Sequence, residues 1–302
     1  MTTITFTGDM MLGRSFDAKP VYPWSQDVLD VLNGTLLCTN LETAVTTATT
    51  KYPGKAFNFK VAPSTFASLL PKDVAMAVNL ANNHVLDYKE AGMIETLKTL
   101  DELGIPHTGA GASIDKAREP AIFKYGDLTV GMLGFADHYA EWAATETKAG
   151  ISYLDIGAEG KAQEEALDLV ASTAKRVDVL IVYLHYGPNW APSPSDAFVK
   201  FNHALIDHGA AIVAGTSPHH LQQIEAYGKG MIFFSLGDFI DDYAIDATYR
   251  NDLTILAQVT FNTKGGIVGA AAYPAKIEDM QLRLLQPEEE DYAWVTKRLA
   301  TG

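Results

Sequence analysis

Six short apolar runs, separated by amphipathic segments, constrain the fold of this 302-residue chain more than any other feature. Their density of Val, Ile, Leu and Phe is typical of strands that are covered on both faces. Because the segments between them have helical patterns, we expect an α/β fold with helices outside the sheets. The six runs are Ile4–Thr7, Leu36–Leu41, Val74–Leu80, Val179–Leu184, Ala211–Ala214 and Met231–Leu236.

Helical and antiparallel patterns complete this prediction. Glu90–Leu103 predicts a helix that ends at Gly104, and its expected buried face is Met93, Ile94, Leu97, Leu100 and Leu103. Further helices are predicted at Ala158–Ala174, Asp196–His208 and Pro287–Leu299. Antiparallel pairs are predicted within Ala121–Phe135 and between Leu253–Phe261 and Ile267–Tyr273. The pattern therefore favours one mixed sheet or two sheets packed together.

Charge and cysteine content exclude several classes of partner and site. The formal charge of −14 and the absence of a Lys/Arg cluster argue against binding to nucleic acid or to an anionic membrane surface. The chain shows neither an apolar run of the ~18 residues that a membrane span needs nor a signal peptide at its start. We therefore expect a cytoplasmic protein that uses neither partner, while its oligomeric state stays open. The single cysteine, Cys38, excludes a disulfide framework and a Cys-based zinc site, and we expect it in the core.

Side chains that bind metals follow nearly every predicted strand. Ligands bind beyond the carboxyl ends of strands in open α/β sheets, so these side chains are expected to meet. One such residue is more often a helix N-cap, but a set of this size indicates a metal site. Asp, Asn and His suit Mn, Fe or Zn, and a carboxylate-rich site also suits Mg or Ca. The residues are Asp9, Glu42, Asn82, Asn83, His84, Asp87, His185, His219, His220 and Asp238.

The remaining histidines and one arginine have less specific signals. His203 and His208 lie on a predicted helix, and His107 and His138 lie in predicted loops. We interpret these four as surface or structural residues. Arg14, five residues after Asp9, could clamp a phosphate or a carboxylate, or form an ordinary surface salt bridge.

The strand-end motifs resemble those of the CapA family, which is named for poly-γ-glutamate capsule biosynthesis and is similar to the calcineurin-like metallophosphatases. The resemblance extends from about residue 4 to about residue 242. It implies a metallophosphatase-like two-sheet α/β sandwich with helices on the outer faces and the active site at the strand carboxyl ends. It further implies one domain over residues 1–302, with the strands and helix of residues 252–300 packed on that core. The matching stretches are Gly8–Arg14, Asn40–Glu42, Asn79–Asp87, Gly104–Gly111, His185–Gly187 and Pro218–Phe239.

The same resemblance implies roles for individual residues. His84 is the implied general acid, Asp87 orients it, and Arg14 holds an anionic group. The implied ligands of one or two divalent ions are Asp9, Glu42, Asn83, His185 and His219. We further predict that substrate is bound by Asn82, Thr216, His220, Glu225 and Asp238. Thr216 and Asp238 stand where the family usually has His and Asn, which leaves the number of ions open.

Three functions are compatible with these residues. The first is hydrolysis of a phosphoester or a γ-glutamyl or peptide bond in a small-molecule or peptide substrate, by metal-activated water with His84 as general acid. The second is metal-assisted epimerisation of an amino acid or peptide, in which His84 and Asp87 remove and return a proton. The third is a binding protein with a degenerate metal site, because fold does not fix function. The first is our prediction, and the others remain alternatives.

Overall fold

A computed structural model describes residues 1–299 of the chain. Its strands are β1 (Thr2–Met10), β2 (Leu36–Leu41), β3 (Ala44–Val45), β4 (Lys60–Val61), β5 (Ala75–Asn79), β6 (His107–Thr108), β7 (Ala110–Gly111), β8 (Ala121–Tyr125), β9 (Leu128–Ala136), β10 (Gly150–Ile151), β11 (Val179–His185), β12 (Ile212–Thr216), β13 (Ile224–Tyr227), β14 (Gly230–Phe233), β15 (Asp238–Ile240), β16 (Leu253–Phe261), β17 (Ile267–Glu278) and β18 (Gln281–Leu284). Its helices are α1 (Ser15–Ala18), α2 (Gln26–Leu32), α3 (Pro63–Leu69), α4 (Lys89–Leu103), α5 (Ile114–Ala117), α6 (Lys161–Ala174), α7 (Asp196–Asp207) and α8 (Glu290–Leu299), with a 3₁₀ turn at Ala140–Trp142.

Two sheets form the framework, so the two-sheet alternative is the correct one. The first has the order β18-β17-β16-β1-β2-β5-β6, and β15 also pairs with β1. Within it, β1, β2, β5, β6 and β15 are parallel, whereas β16, β17 and β18 form an antiparallel extension. The second has the order β13-β14-β12-β11-β9-β8, with four central parallel strands and an antiparallel strand at each edge. Each of the six apolar runs overlaps a strand, as predicted.

Three apolar layers explain why the helices lie outside. The layer between the sheets contains Phe6, whose ring stacks on Phe233 at 5.9 Å, and the buried Cys38. The outer face of the first sheet is covered by α2, α3 and α4, and that of the second sheet by α6 and α7. Near the carboxyl terminus, α8 packs against β16 and β17. The fold is thus the predicted α/β sandwich; residues 300–302 of the predicted domain lie outside the described residues.

The buried face of α4 differs from the prediction. Met93 and Leu100 are buried, but Ile94 and Leu103 are 39% and 40% exposed, so the prediction was wrong for these two. Thr96 is buried instead, and its hydroxyl accepts a hydrogen bond from the backbone N–H of Val45 at 2.9 Å. The face of α4 that packs on β3 therefore includes Thr96 and is rotated relative to the stripe that the apolar spacing defines. The predicted stop is confirmed, because Gly104 caps the helix in the left-handed conformation.

Gly8 lets β1 pass directly against the turn that precedes β15. A Cβ atom at Gly8 would lie 1.8 Å from the carbonyl oxygen of Gly237, and that carbonyl accepts the N–H of Asp9. We therefore expect Gly8→Ala to lower the free energy of unfolding by about 2–3 kcal/mol, measured by urea denaturation. Gly269→Ala is the matched control, because a Cβ there meets no atom within 4 Å. Equal stability of the two variants would contradict this account.

Candidate metal centre

Three buried side chains from different strand ends converge at one point. Asp9 lies at the end of β1, Glu42 follows β2, and His219 follows β12. One ligand atom from each lies within 4.8 Å of the other two. Parallel pairing of β1 with β2 brings Asp9 and Glu42 to the same end of the first sheet, and the packing of the second sheet against the first brings His219 to them.

The carboxylate of Glu42 is the strongest indication that this point holds a cation. Glu42 is fully buried, and neither of its oxygens has a hydrogen-bond partner within residues 1–299. Its Oε1 lies 3.8 Å from Nε2 of His84 and 3.7 Å from Nε2 of His185. Burial, together with the nearby Asp9, raises the pKa of Glu42 well above its usual value. An unpaired buried carboxylate is costly unless a cation compensates it, so the donor set fits a divalent metal.

Asp9 is held in the charged form. Its carboxylate accepts hydrogen bonds from Nδ2 of Asn40 at 2.6 Å and from the backbone N–H of Ser217 at 3.1 Å. Burial acts to raise the pKa of Asp9, but the neighbouring His185 and His219, with Asn40, lower it overall. Asp9 is therefore an oriented anion that is ready to bind a cation.

His219 is oriented by Asp238. Its Nδ1 lies 2.8 Å from Oδ1 of Asp238, and the register of β15 with β1 places Asp238 beside Asp9. This contact leaves Nε2 of His219 for a metal, the usual arrangement of a carboxylate behind a metal-binding histidine. Burial acts to lower the pKa of His219, but Asp238, Glu42 and Asp9 outweigh it and raise the pKa to about 10. The structure thus gives Asp238 a partner in His219, whereas the sequence assigned it to the substrate.

His185, at the end of β11, and Asn83, after β5, lie beside this group of three. Nε2 of His185 lies 2.9 Å from Oδ1 of Asn83, and its Nδ1 lies 2.9 Å from the hydroxyl of Thr216. Thr216 is fully buried and also donates to the carbonyl of Leu184 at 3.4 Å. The structure therefore places Thr216 behind His185.

His84 and Asp87 form a dyad beside Glu42. Nδ1 of His84 lies 2.6 Å from Oδ2 of Asp87, and the imidazole stacks on Phe59 with the ring centroids 4.1 Å apart. Asn82, which is fully buried, accepts the backbone N–H of His84 at 3.0 Å and so shapes the turn that presents the ring. Burial lowers the pKa of His84 to about 4, which keeps the ring uncharged near neutral pH.

Two residues of this region were missed by the sequence interpretation. Lys55 contacts the carboxylate of Asp87 with a side chain that is only 4% exposed. His138 was interpreted as a surface or structural residue, yet its Nε2 lies 2.8 Å from the hydroxyl of Ser217 and its ring 5.4 Å from that of His185. The positions of Lys55 and His138 depend on the conformation of loops. Neither residue lies at the end of an apolar run, which was the feature that identified the other site residues.

Three residues that the sequence assigned to the site have partners elsewhere. Arg14 lies at the rim, where its guanidinium donates to the side chain of Asp242 at 2.9 Å. Glu225 binds His203 at 3.0 Å, away from the metal ligands. His220 directs Nε2 to the carbonyl of Ala191 at 2.8 Å. The physical reason for this last difference is the left-handed backbone of His219, with φ of 63°, which turns consecutive side chains apart.

Cation binding at this centre is expected to release a proton. With its pKa raised to about 10, His219 of the metal-free protein is protonated at pH 7, so a metal at Nε2 must displace that proton. The affinity for Mn²⁺ should therefore rise between pH 6 and pH 9, by up to ~10-fold per pH unit. Titration calorimetry in two buffers of different ionisation enthalpy measures the released proton. Asp238→Asn should reduce the release, and pH-independent binding would contradict the arrangement.

The structure is a two-sheet α/β sandwich with carboxylates and histidines at the carboxyl ends of its strands. The fold is similar to the crystal structure of a novel phosphatase from Mycoplasma pneumoniae, with a TM-score of 0.51, 7% identity and coverage of 90% of this chain and 92% of that one. It is also similar to a hypothetical protein from Thermus thermophilus, with a TM-score of 0.50, 12% identity and coverage of 91% and 99%. At these identities the likeness concerns the fold alone.

The chain belongs to the family described as bacterial capsule synthesis protein PGA_cap, whose model matches residues 3–243. It is 29% identical over 286 residues to a probable polyglutamine synthesis accessory protein of Mycobacterium tuberculosis, covering 91% of this chain and 74% of that protein. It is 28% identical over 249 residues to the PGA biosynthesis protein CapA of Bacillus subtilis, covering 79% and 63%. The resemblance to the CapA family is thereby confirmed. Within residues 1–299, no helix has the length and apolar character that crossing a membrane requires.

Proposed function

We propose that this protein is a metal-dependent hydrolase acting on a phosphoester or on a γ-glutamyl or peptide-type bond. The observation that supports this best is the buried carboxylate of Glu42, which lacks a hydrogen-bond partner among the described residues and lies beside Asp9 and His219. Burying such a group without compensation destabilises a fold, so its presence points to a cation as its partner. The metallophosphatase-like fold is consistent with a hydrolytic use of that cation.

The proposed ligands are Asp9, Glu42 and His219, with His185 and Asn83 beside them. Their carboxylate, imidazole and amide groups suit one or two ions of Mn, Fe or Zn, and also Mg or Ca. When bound, such an ion would supply Lewis acidity that polarises the scissile group and acidifies water. Thr216, although it replaces a family histidine, supports His185 at 2.9 Å and so preserves one ligand.

His84 is the proposed general acid. Because Nδ1 is engaged by Asp87, Nε2 is the atom that faces Glu42 and exchanges a proton with the leaving group. The low pKa of about 4 makes the protonated ring a strong acid, although little of it is present at pH 7. A negatively charged substrate beside Nε2 would raise that pKa and so favour the acid form.

Substrate attraction depends on few positive charges. The chain carries a net charge of −14, so an anionic substrate is repelled at long range unless the bound cation and Arg14 offset it. The guanidinium of Arg14 lies at the rim, 5.5 Å from the ring centroids of Phe59 and Tyr243, with its side chain 35% exposed. Arg14 would exchange part of its contact with Asp242 for an anionic group of the substrate. We propose a small-molecule or peptide substrate and neither nucleic acid nor membrane as partner.

The test combines metal content with a substrate panel. Plasma mass spectrometry of the purified protein, before and after loading with Mn²⁺, Fe²⁺, Zn²⁺, Mg²⁺ or Ca²⁺, should find about one or two equivalents, which EDTA removes. The loaded protein should hydrolyse at least one of a set of phosphomonoesters, phosphodiesters and γ-glutamyl peptides, and EDTA should abolish this activity. A fully loaded protein that cleaves none of them would overturn the proposal.

Epimerisation is a second candidate because His84 is uncharged near neutral pH. In the uncharged ring Nε2 carries a lone pair and can accept a proton, and the pKa of about 4 makes it a weak base that depends on a metal to acidify the Cα–H. Removing and returning a Cα proton on a γ-glutamyl or peptide substrate would use that property. Incorporation of solvent deuterium at Cα without bond cleavage would support this candidate and count against hydrolysis.

A further inference from the structure

Lys55 is a buried cation whose position does not follow from the sequence motifs. It lies in the 46–59 loop, the segment between β3 and β4, and its side chain is only 4% exposed. Its ammonium donates to the carboxylate of Asp87 and to the backbone carbonyl of Asn83, and it lies 3.4 Å from Nδ1 of His84. Burying a lysine ammonium is costly unless it is paired, and here the carboxylate of Asp87 and the carbonyl of Asn83 offset that cost.

The contacts of Asp87 indicate a role for Lys55. One oxygen, Oδ1, accepts from Lys55, while Oδ2 lies 2.6 Å from Nδ1 of His84 and accepts the backbone N–H of Phe59 at 2.6 Å. Three groups thus fix the carboxylate. Without Lys55, Asp87 would be a buried charge that faces no lysine or arginine among the described residues, and its Oδ1 would lose the donor that orients it.

The aromatic surroundings of Lys55 hold the ammonium in place. Its Nζ lies 4.9 Å from the ring centroid of Tyr139 and 4.7 Å from that of Trp142. Cation–π attraction of this kind is strongest where water is excluded. The ammonium therefore joins the 46–59 loop, the turn that bears His84, and the 3₁₀ turn at Ala140–Trp142.

We propose that Lys55 is a positioning residue that neutralises Asp87 and fixes it so that His84 presents Nε2 to the metal centre. The inference rests on the proposed function in one respect, because it takes His84 as the group that exchanges a proton with substrate. Lys55 itself need not touch the substrate, since it acts through Asp87 and Asn83.

Lys55→Met and Lys60→Met are the matched variants. Lys60 also anchors the 46–59 loop, because its ammonium donates to the carbonyl of Ala48 at 2.9 Å and lies 5.0 Å from the ring centroid of Tyr88, but no contact joins it to Asp87 or His84 among the described residues. A merely structural anchor would give both variants the same phenotype. Lys55→Arg, which keeps the positive charge, serves as the rescue variant, and Lys55→Gln replaces Lys55→Met as the test if that variant does not fold.

The first readout is independent of catalysis. In protein labelled with ¹⁵N-histidine, Nδ1–H of His84 should give a downfield proton signal protected from exchange, assigned by its loss in His84→Gln. We expect Lys55→Met to lose this protection, whereas Lys60→Met and Lys55→Arg retain it. Retention of the signal in Lys55→Met, or its equal loss in Lys60→Met or Lys55→Arg, would overturn the inference.

The second readout is the dependence of rate on the leaving group. With phenyl phosphate, whose leaving group needs a proton, Lys55→Met should lower kcat by about 10²-fold with little change in KM. With p-nitrophenyl phosphate, whose leaving group departs unaided, the loss should be several-fold smaller. In the His84→Gln background Lys55→Met should have no further effect, and an additive loss would overturn the inference. If the loaded wild type hydrolyses neither ester, the proposed hydrolysis of these esters fails, and the His84 signal alone decides on Lys55.

Discussion

Replacing Glu42 by glutamine is expected to abolish metal binding and, at the same time, to stabilise the metal-free protein. Both oxygens of Glu42 are buried without a hydrogen-bond partner in the part of the chain that the structure describes, and Asp9 lies close by. Glutamine keeps the shape but removes the charge, so the repulsion and the desolvation cost both decrease. We expect the free energy of unfolding in EDTA to rise by about 1–3 kcal/mol.

Metal analysis and thermal unfolding test both halves of this prediction. The metal content should decrease from about one equivalent or more to background, and activity should be lost with it. In EDTA the melting temperature of Glu42→Gln should exceed that of the wild type by a few degrees, and in saturating metal the order should reverse. Glu95→Gln is the control, because the carboxylate of Glu95 is satisfied by Thr46 and Thr47. A Glu42→Gln variant that still binds metal would exclude Glu42 as a ligand.

The convergence of the metal candidates could be predicted from the sequence because it depends on strands alone. An apolar run that leads into Asp9 or His185 places that side chain at the carboxyl end of a sheet, parallel pairing aligns these ends within each sheet, and the packing of the two sheets brings the two ends together. Glu42 and His219 follow the same rule, one residue and three residues beyond their strands. The rule needs only the period and length of the runs, which the chain displays clearly.

The orientation of these side chains and the contribution of the loops to the site could not be predicted from the sequence. The 46–59 loop contains no strand or helix, so the apolar periodicity of the sequence does not predict that Lys55 contacts Asp87. In the same way, the left-handed backbone of His219, with φ of 63°, has no signature in a non-glycine residue, so the sequence left open whether His220 faces the site or points away from it. Side chains on loops are positioned by tertiary contacts, and a single sequence does not display those contacts.

Replacing His84 by glutamine is expected to lower kcat by about 10²–10⁴-fold while the metal content stays unchanged. His84 lies beside Glu42, with Nε2 of the ring 3.8 Å from Oε1, but it is outside the group of three side chains that come within 4.8 Å. Glutamine can still reach Asp87 with its amide, so the variant removes proton transfer and leaves the dyad's packing against Phe59 largely in place. Steady-state kinetics and plasma mass spectrometry on the same preparation measure the two quantities.

The substrate dependence of this loss separates the two proposed chemistries. If His84 is a general acid in hydrolysis, the loss grows as the leaving group becomes poorer, and solvent deuterium does not enter the substrate at Cα. If His84 exchanges a Cα proton, the variant loses deuterium incorporation, and the rate has no leaving group to depend on. A variant that keeps both its metal and its full rate on every substrate would remove His84 from either mechanism, and the metal centre would then belong to a binding protein.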